Sequence, residues 1–450
     1  MKPQLFGTDG VRGVAGSYPL DRETVVKLGG ALGMVLAAEA QSRRPEVVIG
    51  LDTRESGPWI ARALAAGLRA SGATVIHAGI TTTPGLAFLT RHHGFAAGLM
   101  VSASHNPFQD NGIKVFSGEG NKLRGEVEVE IERTLLAFPA KGIEDREIEV
   151  TPSLLDEYLD FLESIAPAGG RASSLRLVVD CGNGSASTVA PRFLRRLGIE
   201  ARLMYAQPDG RNINFGCGSL YPEAMARETQ STGADLGVAF DGDADRAIFA
   251  APSGRILDGD HVLFAAATDL KAHSLLKGGA VVGTLMTNFG LEVALRSLGI
   301  VLQRTAVGDK FVLEEMLRSG INLGGEPSGH VIFSDVSRAG DGLVTLIEML
   351  RLMAAVGASA DDLVRGYTPY PQRIRNVTVQ EKRPLESVPE VAGALARCED
   401  DMKGRGRVVL RYSGTEPLAR VMVEGDRAAA VERHAADIAA AIEKALGVRT

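Results

Sequence analysis

Cysteine is scarce and unpatterned in this chain: Cys181, Cys217 and Cys398 are the only three in 450 residues, and no two have C-x-x-C spacing. That excludes a disulfide framework and a zinc-finger site, and it suits a reducing cytoplasm. A long apolar run is also missing. The most apolar helical stretch, Val25 to Ala40, is broken by Lys27 and several glycines, and Met1-Lys2-Pro3-Gln4 lacks the apolar core of a signal peptide. The expectation is therefore a cytoplasmic protein without export signal or membrane anchor. Basic charge is not in excess: the formal net charge of -6 argues against a general nucleic-acid binder. A local cationic pocket for a small anion stays compatible with it, since net charge does not say where arginines converge. No segment is polar and monotonous enough to be disordered.

What is present is alternation. Short apolar runs, such as Val47 to Leu51, Leu175 to Val179 and Ala280 to Leu285, alternate with helical stretches, such as Arg22 to Ala40, Pro58 to Ala70, Ala190 to Leu197 and Gly342 to Val356. Thr83-Pro84 reads as N-cap and first residue of a helix through Leu89. This alternation is the signature of α/β layers with a largely parallel sheet, whose polar loops gather at the carboxyl ends of the strands. The pattern starts afresh near Thr151 and again after residue 250, and it changes after Tyr367-Thr368-Pro369, where strands Arg373 to Val379, Val408 to Arg411 and Arg420 to Val423 mix with two helices. The chain is thus read as three similar α/β domains with mixed sheets (1–150, 151–250, 251–368) and a smaller α+β domain (369–450).

Each unit carries one chemically dense loop. In the first, Ser102-Ala103-Ser104-His105-Asn106-Pro107 follows an apolar run and precedes Asn111-Gly112-Ile113-Lys114, so a serine hydroxyl stands where the sheet opens to solvent. In the second, Asp241-Gly242-Asp243-Ala244-Asp245-Arg246 sets three carboxylates on alternate residues with small residues between them. Oxygen-only ligation of this kind suits Mg²⁺, whose charge relieves the repulsion among the carboxylates. Asp-x-Asp after a strand equally describes phosphatases in which Asp241 itself would be the nucleophile. In the third, Gly325-Glu326-Pro327-Ser328-Gly329-His330 brings a carboxylate and a hydroxyl that can pair with sugar hydroxyls. In the fourth, Arg411-Tyr412-Ser413-Gly414-Thr415-Glu416-Pro417 offers a guanidinium, two hydroxyls and backbone N–H groups that can wrap a phosphate. Each loop alone is also an ordinary turn. Asp52-Thr53-Arg54 reads as a polar strand end, Trp59 as core, and His92-His93 as surface.

Taken together and in this order, the four loops resemble the α-D-phosphohexomutase superfamily over essentially the whole chain. Phe6-Gly7-Thr8-Asp9-Gly10-Val11-Arg12-Gly13, Gly325 to His330, Ser413 to Pro417, Asn212-Ile213-Asn214 and Cys217-Gly218-Ser219 look like its bacterial phosphoglucosamine mutase branch more than its phosphomannomutase/phosphoglucomutase members. The resemblance implies four domains around a central cleft. Ser104 would be a phosphoserine, and Asp241, Asp243 and Asp245, with its phosphoryl oxygen, would hold one Mg²⁺. Arg12, His105, Lys114 and Arg246 would surround the transferring group, with Lys114 or His330 moving protons. Glu326 and Ser328 would read the sugar, and Arg411, Ser413, Gly414 and Thr415 would grip the other phosphate.

The implied reaction interconverts glucosamine 6-phosphate and glucosamine 1-phosphate through a sugar 1,6-bisphosphate, toward amino-sugar nucleotides and cell-wall precursors. The partner is a small hexosamine or hexose phosphate, with no nucleic acid or membrane, and the protein would act singly or as a homodimer. Ala244 stands where many members have glycine, Leu220-Tyr221 follows Cys-Gly-Ser in place of the expected Thr-His, and Tyr412 occupies a variable position. An inactive sugar-phosphate sensor is the reading from a different class.

Overall fold

The computed structural model describes residues 3–7, 9–39, 44–167, 170–413 and 417–448. Three of its four sheets repeat one plan. The first contains β1 (Val11–Val14), β2 (Glu46–Leu51), β3 (Thr74–Ile80), β4 (Ala97–Val101) and β5 (Asp110–Ser117), in the order β1-β5-β4-β2-β3. The second contains β6 (Arg176–Asp180), β7 (Glu200–Met204), β8 (Leu236–Phe240), β9 (Ala247–Ala250) and β10 (Ile256–Leu257), in the order β10-β9-β8-β6-β7. The third contains β11 (Ala280–Thr284), β12 (Val301–Thr305), β13 (Leu323–Gly325) and β14 (Val331–Phe333), in the order β12-β11-β13-β14.

In each, three parallel strands joined through helices are followed by one strand that returns antiparallel: β5 beside β4, β9 beside β8, and β14 beside β13. The sheets are therefore mixed. The serine loop, the triple-aspartate loop and the Gly325 to His330 loop are the same turn in the three plans, the one leading from the third parallel strand into its antiparallel neighbour. The fourth sheet differs, with β15 (Gln372–Thr378), β16 (Gly406–Tyr412) and β17 (Leu418–Gly425) all antiparallel in the order β15-β17-β16.

Apolar runs form the parallel strands because both faces are covered by helices. All five residues of β4 and all five of β8 are buried. β5 also has a buried interior, although Asn111-Gly112-Ile113-Lys114 lacks the apolar run by which the other strands are recognised. The helix expected from Thr83 runs Thr83–His93, and its cap is Thr82, whose Oγ1 accepts from Gly85 N–H. Gly94, at φ 66°, ends it in a left-handed turn. The first sheet has its own core, around Val25, Leu32, Ile49 and Leu64, whereas the second and third share one that runs from Leu159 and Val179 to Leu291 and Leu346. The fourth has a separate core around Val391, Val421 and Ile438. Among the described residues no helix is long and apolar enough to cross a membrane.

One buried contact ties the opening helix of the second unit to the third. Tyr158 Oη donates to Asp341 Oδ2 at 2.7 Å, and Asp341 Oδ1 caps helix Gly342–Val356 by accepting from the N–H groups of Leu343 and Val344. Burial pushes the Asp341 carboxyl up to about 6, against those hydrogen bonds. A carboxyl raised on folding binds its proton more tightly in the native state, so its contribution to stability is full below the unfolded pKa and declines as pH rises through the folded one. Wild type is expected to lose roughly 3 kcal/mol relative to Asp341→Asn between about pH 4 and pH 6. Urea unfolding of both proteins across that range measures the difference.

Candidate active site

The serine loop is held in a conformation that serine does not adopt by preference. Ser104 has φ 53°, in the left-handed region, which costs about 1 kcal/mol or more for a residue with a Cβ. Its N–H donates to Ser102 Oγ at 2.9 Å, and Ser102 Oγ donates to Asp52 Oδ2 at 2.7 Å. Asp52 is ion-paired at 2.9 Å with Arg54, and both side chains are fully buried. Arg54 donates to the carbonyls of Ser104 (2.9 Å), Asn106 (2.8 Å) and Asp110 (3.0 Å), as well as to that of Pro107. Asn214, from the second unit, also donates to the Ser104 carbonyl at 2.9 Å. A planar guanidinium can satisfy several carbonyls at once, so Arg54 is the internal scaffold of this turn.

The triple-aspartate loop docks directly on it. Ser104 Oγ donates to Asp241 Oδ2 at 2.6 Å. Gly242 lies so close that a Cβ there would stand 2.5 Å from the Ser104 carbonyl oxygen, so no residue with a side chain fits. Asp241, Asp243 and Asp245 are all buried, and one carboxylate oxygen from each falls within a sphere of contacts no wider than 4.8 Å. Asp243 Oδ1 and Asp245 Oδ1 are buried and have no hydrogen-bond partner. Orphaned, convergent carboxylate oxygens fit a hard divalent cation with oxygen ligands. Ala244, between the last two, has φ 55°, so the glycine more usual at that position would sit there without strain.

Cations compensate the acidic cluster. Lys114 Nζ, on β5, lies 2.7 Å from Asp243, 3.3 Å from Asp245 and 3.3 Å from Asp9. Burial alone would lower the Lys114 pKa, but these three carboxylates raise it well above the ordinary lysine value. Asp245 is held well below the usual carboxylate range, because Lys114 and His330 outweigh its burial. Asp241 goes the other way, raised by burial and by the charges of Asp245 and Asp243. His105 Nδ1 lies 3.3 Å from Ser104 Oγ; burial, then the charges of Arg246 and Arg12, push its pKa down to about 4. His105 is consequently neutral at pH 7. His330 Nδ1 stands 3.8 Å from Asp245; burial would lower the imidazole pKa, but that carboxylate, with Asp309 and Glu326, raises it.

Of the residues singled out from sequence, Ser104, His105, Lys114, Asp241, Asp243, Asp245, Arg246 and His330 form this one cluster. Arg12 pairs with Asp9 at its edge, and its charge reaches His105. Glu326 Oε1 accepts from Gly308 N–H at 3.0 Å, and Ser328 Oγ is buried without a partner. Arg411 lies on β16 of the fourth sheet, where it is exposed and faces Arg420 across the β16–β17 ladder, and Ser413 follows the end of that strand. Gly414 and Thr415 lie outside the described residues. The residues that sequence reading passed over are Arg54 with Asp52, Asp9, and Thr83, whose hydroxyl donates to Asp243 Oδ2. In the sequence Thr83 signals only a helix cap.

Sequence profiles of the phosphoglucomutase/phosphomannomutase alpha/beta/alpha domains I, II and III match residues 3–138, 156–254 and 258–370, and that of the C-terminal domain matches residues 375–441. The chain is 47% identical over 449 residues to a phosphoglucosamine mutase of Solibacter usitatus, covering 99% of this chain and 100% of that one. A solved phosphoglucomutase/phosphomannomutase family protein from Burkholderia thailandensis superposes with a TM-score of 0.79 at 25% identity, over 98% of this chain and 97% of that one. The Aspergillus fumigatus N-acetylphosphoglucosamine mutase shares the fold, with a TM-score of 0.68 at 20% identity over 99% and 96% of the two chains; its structure is a complex with GlcNAc-6P and magnesium.

Replacing Arg54 by Lys keeps the charge opposite Asp52 but supplies too few donors for four carbonyls. Arg54→Lys is expected to fold and to raise amide hydrogen exchange in residues 103–107 by about tenfold or more, as local opening becomes easier. Exchange measured by mass spectrometry on both proteins checks this.

Proposed function

The chain belongs to the phosphoglucomutase/phosphomannomutase family, and on that premise we propose that it interconverts glucosamine 6-phosphate and glucosamine 1-phosphate by way of a phosphorylated Ser104 and a sugar 1,6-bisphosphate. It is an isomerase, a hexosamine-phosphate mutase of the phosphohexomutase superfamily. The observation that carries the finer reading is the 2.6 Å hydrogen bond from Ser104 Oγ to Asp241, at the mouth of three convergent carboxylates. It favours the serine as phosphoryl carrier over Asp241 as nucleophile, because Asp241 accepts from the serine hydroxyl and is one of the three converging carboxylates that would hold the metal, so its oxygens are already engaged.

In this scheme phospho-Ser104 gives its phosphoryl group to the free hydroxyl of a sugar monophosphate. The P–O bond to Ser104 Oγ breaks as the bond to the sugar oxygen forms; the sugar hydroxyl gives its proton to an acceptor in the cleft, and Ser104 Oγ takes up a proton as it leaves. The bisphosphate turns over and returns its other phosphoryl group to Ser104 Oγ, so phosphate is neither gained nor lost. Asp241, Asp243 and Asp245 would hold Mg²⁺, which when bound neutralises charge on the transferring oxygens. Lys114, fixed by three carboxylates, and Arg246 supply standing positive charge there. That assigns Lys114 to electrostatic stabilisation and leaves proton transfer to the imidazoles. Neutral His105, 3.3 Å from Ser104 Oγ, can take the serine proton when the hydroxyl is rephosphorylated. Glu326 and Ser328 read the sugar hydroxyls, and Arg411 and Ser413 grip the phosphate that does not react. The GlcNAc-6P and magnesium bound by the Aspergillus fumigatus enzyme support a sugar-phosphate ligand and this metal.

Parallel assays with Mg²⁺ on glucosamine, glucose and mannose phosphates are expected to give the highest kcat/KM on glucosamine phosphate; a higher value on glucose or mannose phosphate reverses the preference. Ser104→Ala should leave the circular dichroism spectrum unchanged and lower turnover by at least about 10³-fold. Asp243→Asn should weaken Mg²⁺ binding by about tenfold or more in calorimetric titration.

A further inference from the structure

A chain of charged contacts crosses from the first unit to the third behind the triple-aspartate loop. Lys122 Nζ lies 2.6 Å from Asp9 Oδ1 and 2.7 Å from Asp309 Oδ2. Next to Asp309, Lys310 Nζ donates to the Leu123 carbonyl at 3.0 Å, and Gly308 N–H donates to Glu326 Oε1 at 3.0 Å. Residues 308–310, which start helix Asp309–Ser319, are thus gripped by the first unit on one side and by the Gly325 to His330 loop on the other. Asp309 Oδ2 also stands 3.8 Å from His330 Nε2. On the near side, Asp9 pairs with Arg12 and lies 3.3 Å from Lys114, which itself reaches Asp243 and Asp245. The run from Glu326 through residues 308–309, Lys122, Asp9 and Lys114 to Asp243 is unbroken.

Apolar packing does not register these two units here. Between them lies a cavity of about 210 Å³, walled by Leu123, Leu313, Leu317 and Ile332 and bordered by Lys122 and Asp309 themselves. Where packing leaves a gap, directional polar contacts set the spacing of the parts. Gly308 has φ 131°, a backbone setting that residues with side chains rarely adopt, so the approach of Asp309 to Lys122 is built into the chain and is not a chance meeting of surface charges. Both side chains are only partly exposed, at 18% for Lys122 and 23% for Asp309.

We propose that Lys122 and Asp309 are positioning residues that latch the Gly325 to His330 loop at a fixed distance from Ser104, and that breaking the latch lets a doubly phosphorylated sugar escape before it has turned. The second half rests on the mutase reading above. An enzyme that loses its bisphosphate is left with an unphosphorylated serine and stops until it is recharged. The latch therefore acts on how long the site stays closed and not on the chemical step.

The test compares wild type, Asp309→Asn, Lys122→Met and the double variant as full-length proteins. Without added bisphosphate, each single variant is expected to lose about tenfold in kcat/KM on glucosamine 6-phosphate, and the double variant to lose no more than Lys122→Met alone, because that substitution already removes the contact that Asp309→Asn breaks. Added glucose 1,6-bisphosphate should restore most of kcat in all three, and Asp309→Glu should fall between Asp309→Asn and wild type. Losses that multiply to about a hundredfold in the double variant, or that bisphosphate does not relieve, overturn the proposal. Hydrogen exchange at residues 326–330 reads the latch without any turnover: it should accelerate equally in the two single variants, and unchanged exchange overturns the latch even where activity falls. Faster exchange in the variants together with a wild type inactive on glucosamine 6-phosphate would sustain the latch and count against the mutase reading.

Discussion

Four buried or half-buried carboxylates, Asp9, Asp241, Asp243 and Asp245, converge beside one serine hydroxyl, and the site exists only because their repulsion is compensated. Uncompensated buried charge is among the most destabilising arrangements a protein can hold. The compensation comes from side chains of different units: Arg12, Lys114 and Lys122 from the first, Arg246 from the second and His330 from the third. Assembly of the charge cluster and docking of the three units are therefore one event. The directions of the pKa shifts express it. Lys114 is raised because it answers three acids, Asp245 is lowered because Lys114, His330 and Arg246 all face it, and Asp241, with Arg246 as its one cationic counterweight, is raised. A divalent cation would enter a place where two carboxylate oxygens still lack partners.

Topology decides which loops can meet there. Three sheets with the same order of strands each end their parallel set at one turn, and that turn carries the serine, the aspartates or the Glu326 to His330 segment. Loops at the carboxyl ends of parallel strands face the same way in each layer, so packing three layers about a common point brings them together without long excursions. Close approach is then limited by side-chain volume. Gly242 is set against the Ser104 carbonyl, and at Gly340 a Cβ would stand 2.2 Å from His330 Nε2, so small residues appear where loop meets loop.

Legibility in the sequence followed the same physics. Helix Gly342–Val356 and the buried strands were readable because a burial pattern repeats along the chain, and Ser104 with the three aspartates was readable because reactive groups were concentrated in a short segment. β5 was not recognised as a strand: its polar residues, Asn111 and Lys114, are buried for the sake of the site and erase the apolar run. Arg54 was hidden for a different reason. A buried arginine that satisfies backbone carbonyls leaves no periodic or compositional mark, since its partners, at Ser104, Asn106, Pro107 and Asp110, are defined only by the folded path of the chain. Thr83 and Asp9 make contacts 160 and 105 residues away, and no local pattern encodes those.

The fourth unit obeys a different rule from the other three. Its core, around Val391, Val421 and Ile438, is separate from theirs. Its polar ties to the third unit run largely to backbone: Arg407 donates to the carbonyls of Leu285 and Thr287 at 2.8 and 2.9 Å, and Asn288 bonds both the N–H and the carbonyl of Tyr370. Water can replace bonds of this kind at small net loss, whereas separating the second unit from the third would open a shared apolar core. Reorientation of the fourth unit is thus the least costly of the large motions this architecture permits. Under the mutase reaction proposed above, in which one sugar is held in two opposite orientations, that asymmetry would let the unit carrying the exposed Arg411 adjust while the charged cluster stays in place.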